Sequence, residues 1–348
     1  MLDIYAGETA IKTIKQQGFS ADLFTQMLGA SGGPKWFTLF GLDKYLFGEF
    51  FKNRTQELNL IGSSAGAFRF GALAQNDPVA AITRLATHYS ETVYFKKADA
   101  AEITTKAMEL LDAVYGDSGV DEIINNPVYK VHFVVAKCHG LTAFENKFCQ
   151  FLGLLSSIGL NRLNRGLLTN QYQRFVFHHP KSKVRITDKH HFNTVYQPLS
   201  TENLKQALLA SGSIPMVMQG VRDIPQAPKG MYRDGGIIDY HFDVNIAGSD
   251  GLTLYPHFNA TPKAGWFDKN LSRSVSKEHY KNVVMLVPSD DFIAGLPFQK
   301  IPDRKDFTEM DAPTRIQYWR TVLAETDRLA QAFDEFLSVP DVTKIIPI

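Results

Sequence analysis

The stretch Leu60-Ile61-Gly62-Ser63-Ser64-Ala65-Gly66-Ala67-Phe68 runs from an apolar, β-compatible segment through G-x-S-x-G into a helix-forming segment. That order is what a sharp strand-to-helix turn needs if a serine is to project from its tip. The backbone of such a turn is crowded, so the residues two before and two after the serine must be very small, and Gly62 and Gly66 meet the demand. Ser64, unlike Ser63, has a glycine two positions away on both sides. At the first turn of the helix its hydroxyl would face unpaired N–H groups and the positive end of the helix dipole, which stabilise negative charge on an attacked carbonyl oxygen. Ser64 is therefore the candidate nucleophile, although the same residues would also serve a plain small-residue turn.

Upstream, Met27-Leu28-Gly29-Ala30-Ser31-Gly32-Gly33-Pro34-Lys35-Trp36 follows another β-compatible run and precedes a helical stretch. A phosphate-binding loop would need glycine directly before the lysine and a hydroxyl residue directly after it. Pro34 removes an N–H donor and Trp36 has no hydroxyl, so the register of a phosphate-binding loop fails and the loop argues against a P-loop nucleotide hydrolase. The N–H groups of Gly32 and Gly33 remain suited to an oxyanion hole, since glycine lets a substrate oxygen approach closely.

Far downstream stand Ala207-Leu208-Leu209-Ala210-Ser211-Gly212-Ser213-Ile214-Pro215 and Tyr232-Arg233-Asp234-Gly235-Gly236. Together with the two loops this set resembles the patatin-like phospholipases, in which a glycine-rich oxyanion loop, a G-x-S-x-G elbow, an A-S-x-x-x-P helix end and an Asp-Gly-Gly or Asp-Gly-Ala motif occur in the same order. The resemblance covers about 28–239 and leaves 240–348 without motifs. It implies a three-layer α/β/α sandwich and a serine acyl hydrolase acting on lipid or other carboxylic esters without cofactor or metal. It places the nucleophile on Ser64, its base on Asp234 and the oxyanion positions on Ser31, Gly32 and Gly33, supported by Gly62, Gly66, Gly235, Gly236 and the loop cation Lys35. The family loop reads G-G-G-x-R/K-G, whereas this chain has Ser31 for the first glycine and Trp36 for the last.

The 348 residues are 44% hydrophobic and 21% charged, enough to bury a large core, and carry a formal net charge of +1. With Lys and Arg dispersed, nothing calls for a nucleic-acid partner. Two cysteines, Cys138 and Cys149, suit a reducing compartment. The acidic start Met1-Leu2-Asp3 lacks the basic region of an export signal, and the apolar uncharged stretch between Lys147 and Arg162 is shorter than the about 20 residues a bilayer span needs. A cytoplasmic location follows as an expectation, with peripheral membrane contact through Phe148–Leu160 as the alternative to burial of that segment.

Strand-like runs at Leu58–Ile61, Val131–Val135, Arg174–Phe177, Leu252–Tyr255 and Val283–Val287 alternate with helical spacing at Ala65–Gln75, Val79–Val93, Thr201–Ser211 and Pro313–Leu337. With no repeat and no linker, one α/β domain over 1–348, built on a mainly parallel sheet, is the simplest organisation. Two other functions fit the residues. One is a Ser-Asp-His triad using His241, His257 or His279, opposed by how early Ser64 falls in the chain and by reading these histidines as surface or structural. The other is a non-catalytic lipid- or partner-binding protein, opposed by the intact Ser64 and Asp234. His178-His179 and His190-His191 lack ligand-spaced companions and read as polar loop residues, and Lys35 reads as a solvated lysine at a helix start.

Overall fold

A computed structural model of the chain describes residues 1–95 and 98–348. Among these residues the strands are β1 (Leu2–Ala6), β2 (Phe24–Gly29), β3 (Leu58–Ser63), β4 (Tyr129–Cys138), β5 (Tyr172–His178), β6 (Arg185–Thr187), β7 (Thr194–Pro198), β8 (Val221–Arg222), β9 (Met231–Asp234), β10 (Asn245–Ala247), β11 (Leu252–Pro256), β12 (Val283–Pro288) and β13 (Ile346–Pro347). The helices are α1 (Glu8–Gln17), α2 (Phe40–Tyr45), α3 (Ala65–Leu73), α4 (Pro78–Glu91), α5 (Ala100–Tyr115), α6 (Gly119–Asn125), α7 (Lys147–Leu163), α8 (Leu204–Ser211), α9 (Lys277–Tyr280), α10 (Asp290–Ala294), α11 (Asp306–Glu309), α12 (Ala312–Glu325) and α13 (Asp327–Ser338).

One sheet runs in the order β13-β1-β12-β11-β2-β3-β4-β5-β7, and its central neighbours β12, β11, β2, β3 and β4 are parallel. Helices flank it, giving the three-layer α/β/α arrangement. Strands β3 and β12 are buried at every residue, which is why β12 reads as an unbroken apolar run and β3 shows no in–out alternation, with Asn59 and Ser63 as its polar members. All five strand-like runs are strands. The antiparallel members, β5 against β4 and β1 against β12, lie outside the parallel centre.

The segment expected to form one helix over Pro313–Leu337 is two, broken at Thr326. Asp311 caps the first, its side chain accepting the Thr314 N–H at 2.8 Å. The break is where α2 presses closest: the Gly41 N–H donates to Thr326 Oγ1 at 2.9 Å, and a Cβ on Gly41 would lie 2.2 Å from the Thr326 carbonyl oxygen. His178 is likewise not a loop residue, and His179, in the loop that follows β5, is not solvated. His178 ends β5 and both are buried, the His178 ring stacked at 6.3 Å on that of His132. Burial pushes the His132 imidazole down to about 3 and that of His179 to about 4, so both rings are neutral members of the core.

Candidate active site

The elbow forms where β3 ends and α3 begins, at the C-terminal edge of the parallel strands, where open α/β sheets form their clefts. Ser64 takes φ 53° and ψ −121°, a conformation that side chains rarely adopt and that costs of order 1–3 kcal/mol. Close packing enforces it. A Cβ on Gly62 would lie 2.6 Å from the Ala67 nitrogen, and one on Gly66 would lie 1.8 Å from the Gly29 carbonyl oxygen, so β2, the elbow and α3 meet backbone to backbone. Behind the elbow, Arg69 of α3 makes a fully buried double hydrogen bond to Asp43 of α2, at 2.8 and 2.6 Å.

Strand β4 brings the distal acid to the serine. On one edge it pairs first with β3 and then with β9: Val134 faces Ser63, and the next residue, Val135, faces Asp234. Asp234 therefore extends the column that β3 leaves at the elbow. The helix-end motif ties these strands together. Ser211 Oγ accepts the Ser64 N–H at 3.0 Å and donates to the Val134 carbonyl at 2.7 Å, while the Asp234 N–H donates to the Ser213 carbonyl at 3.0 Å. Gly235 is required because a Cβ there would lie 2.1 Å from the Val134 carbonyl oxygen.

Ser64 Oγ donates to Asp234 Oδ2 at 2.8 Å, and the other carboxylate oxygen accepts the Gly236 N–H at 2.7 Å. Both side chains are buried. Burial raises the Asp234 pKa, opposed by the hydrogen bonds from Ser64 and Gly236 and by the charges of Arg304 and Lys269. A raised carboxylate pKa is a better match to a serine proton than that of an exposed aspartate. Among the described residues no histidine is hydrogen-bonded to either group. His279 Nδ1 meets Asp243 at 2.7 Å instead, and His241 and His257 are packed in the interior, their rings 4.4 Å apart; of the surface or structural placement expected, these two take the structural one.

The glycine loop differs from expectation in two ways. The Ser31 N–H already donates to the Tyr240 carbonyl at 2.9 Å, and its hydroxyl donates to Ser63 Oγ and the Ser63 carbonyl, so Ser31 braces the loop and has no amide to offer a substrate. The Gly32 and Gly33 N–H groups have no acceptor among the described residues, and Gly33 sits at φ 58°. Lys35 is not a solvated lysine: its Nζ lies 2.6 Å from Asp303.

Two pockets meet at Ser64. One is lined by Gly32, Asp234, Tyr240, Trp266, Lys269 and Arg304. The other is apolar, lined by Trp36, Phe68, Leu85, Tyr89, Ile103 and Leu110 from the glycine loop, α3, α4 and α5. Ser64, Gly33 and Ile214 border both. Tyr240, Trp266, Lys269 and Arg304 carry no local signal in the sequence; only the return of the C-terminal third over the strand ends brings them here.

Fold and site together define the class: an α/β protein whose parallel sheet presents a strained serine hydrogen-bonded to a buried aspartate. No family model and no curated protein matches the chain. Among solved structures it is similar to VipD from Legionella pneumophila at 12% identity and a TM-score of 0.34, over 75% of this chain and 54% of that one. The chain thus spans about half the length of that protein.

Proposed function

We propose that the protein is a lipid acyl hydrolase that cleaves carboxylic esters through an acyl-enzyme on Ser64. The observation that carries this reading is the 2.8 Å hydrogen bond from the strained Ser64 hydroxyl to buried Asp234, set beside the unpaired Gly32 and Gly33 amides. Ser64 Oγ attacks the ester carbonyl carbon as its proton passes to Asp234 Oδ2, and the tetrahedral oxyanion is held by the two glycine amides. Collapse breaks the bond to the alcohol oxygen, which leaves with the proton from Asp234. Water then repeats the sequence, giving its proton to Asp234 and releasing the carboxylic acid and free Ser64. The apolar pocket between α4 and α5 is suited to the acyl chain.

The lipid character of the substrate is supported by α7, whose amphipathicity is inverted. Its buried residues include Gln150, Ser157 and Asn161, with Ser157 Oγ bonded to Gln171 and Tyr172 and Asn161 donating to Asp268. Its exposed face carries Phe148 at 70%, Phe151 at 50%, Leu155 at 48% and Ile158 at 51% of full exposure. A helix that turns polar groups inward and aromatic groups outward is arranged for an apolar surface. Gln150 also accepts the Met216 N–H, next to Ile214 and Pro215 at the site mouth, so a lipid aggregate held by α7 would lie beside the entrance. Among the described residues no helix is long and apolar enough to cross a membrane, so contact through α7 would be peripheral.

Fluorophosphonate labelling, together with hydrolysis of a p-nitrophenyl ester and a phospholipid, tests the reading. Wild type should label and turn over, and Ser64→Ala should do neither. A wild-type protein inert in both assays would leave a lipid-binding role on the same fold.

A further inference from the structure

We propose that Lys269 and Arg304 form an anion subsite beside Ser64, so that the preferred ester carries a phosphate or carboxylate on its alcohol portion. This rests on the ester-hydrolase reading and names its substrate class. Both side chains line the polar pocket with Ser64 and Asp234. Among the described residues neither of these half-buried side chains has an ion pair or a hydrogen-bonded partner, which sets them apart from the buried arginines. Arg69 is held by Asp43, Arg165 by Asp268, Arg174 by Asp188 and Asp239, Arg233 by Glu145, and Arg315 by the carbonyls of Ser90 and Thr92.

The acids that could neutralise Lys269 and Arg304 are already engaged. Asp303, next to Arg304 in the chain, is 2.6 Å from Lys35, and Asp234 is bonded to Ser64 and Gly236. Lys35, Lys269 and Arg304 thus face two carboxylates, Asp303 and Asp234, leaving one cation unmatched in a sheltered cleft. Lys269 Nζ is held in place by aromatic faces, 4.0 Å from the Tyr240 ring centroid and 5.8 Å from that of Trp266. Burial, and then the charge of Arg304, lower the Lys269 pKa to about 8, as expected for two cations placed together to await an anion. With the acyl chain in the apolar pocket on the other side of Ser64, the anion falls on the leaving alcohol.

The experiment compares kcat/KM for three esters of one medium-length acyl chain, kept below micelle formation: 1-acylglycerol, 1-acylglycerol 3-phosphate and 3-acylglycerate. Wild type should favour an anionic ester by about tenfold or more, the scale of one charge-assisted hydrogen bond. Lys269→Gln and Arg304→Gln should each bring the anionic-to-neutral ratio to within about threefold of unity. Whether the phosphate or the carboxylate ester leads identifies the anion. A wild-type ratio near one overturns the subsite. So does an equal loss on charged and neutral esters accompanied by an upward shift of the acidic limb of the pH–rate profile, since the two cations would then serve to keep Asp234 ionised. If no ester is hydrolysed and fluorophosphonate fails to label, the hydrolase reading has failed, and the subsite is judged by calorimetric binding of 1-acylglycerol 3-phosphate and 1-acylglycerol to the Ser64→Ala protein. Equal affinities there would overturn it as well.

Discussion

Replacing Asp234 by asparagine separates the basicity of the site from its packing. The Gly236 N–H donates to Asp234 Oδ1, so the asparagine carbonyl stays on that side and its NH2 turns toward Ser64. The amide then donates where the carboxylate accepted, and the serine proton has no acceptor. Loss of a general base costs about 10²–10⁴ in rate, and misdirecting the base of a serine hydrolase about 10⁴. A fall in kcat/KM of roughly 10³–10⁴ is expected, or about 4–5.5 kcal/mol of transition-state stabilisation. Stability should move the other way. Burial raises the Asp234 pKa, so its favourable contribution is complete below the unfolded value of about 3.9 and is lost as pH rises through the folded value. At pH 7 the ionised carboxylate is the costly form, and the neutral asparagine should melt at the same temperature as wild type or higher. The assay pairs ester kinetics with a thermal melt at pH 7. A variant that melts normally yet keeps its kcat/KM within about tenfold of wild type would refute Asp234 as the base.

With Lys269 protonated only below about pH 8, the anionic-to-neutral preference should be full at pH 7 and decline above pH 8; the groups facing this ammonium are Arg304, Lys35, Asp303, Asp234, Tyr240 and His241, and a flat ratio from pH 6.5 to 9.5 would contradict the assignment. Among the described residues His279 is the histidine whose ring meets a carboxylate, Asp243, so His279→Gln should leave kcat within about threefold of wild type, whereas a thousandfold loss would restore the triad. Phe148→Glu with Phe151→Glu should abolish co-sedimentation with phosphatidylcholine vesicles and leave turnover of a dispersed short ester unchanged; undiminished sedimentation would remove α7 from the contact.

What was legible in the sequence was local. The elbow could be read because Gly62 and Gly66 answer a backbone constraint within five residues, and the buried parallel strands could be read because β12 is apolar throughout and β3 carries Leu58, Leu60 and Ile61 in a short run. The fold class followed from their alternation with helices. The order of four motifs singled out Ser64 and Asp234, but not how they meet: that depends on β4, which pairs Val134 with Ser63 and Val135 with Asp234. Strand register is a long-range property with no signature in either partner alone. The same holds for Ser31, whose amide is taken by the Tyr240 carbonyl, for Lys35, matched to Asp303, and for the approach of Lys269 and Arg304. Helix α7 shows the limit most directly. Its apolar residues read equally as core or as surface, because periodicity reveals that a helix has two faces while only its neighbours decide which of them is covered.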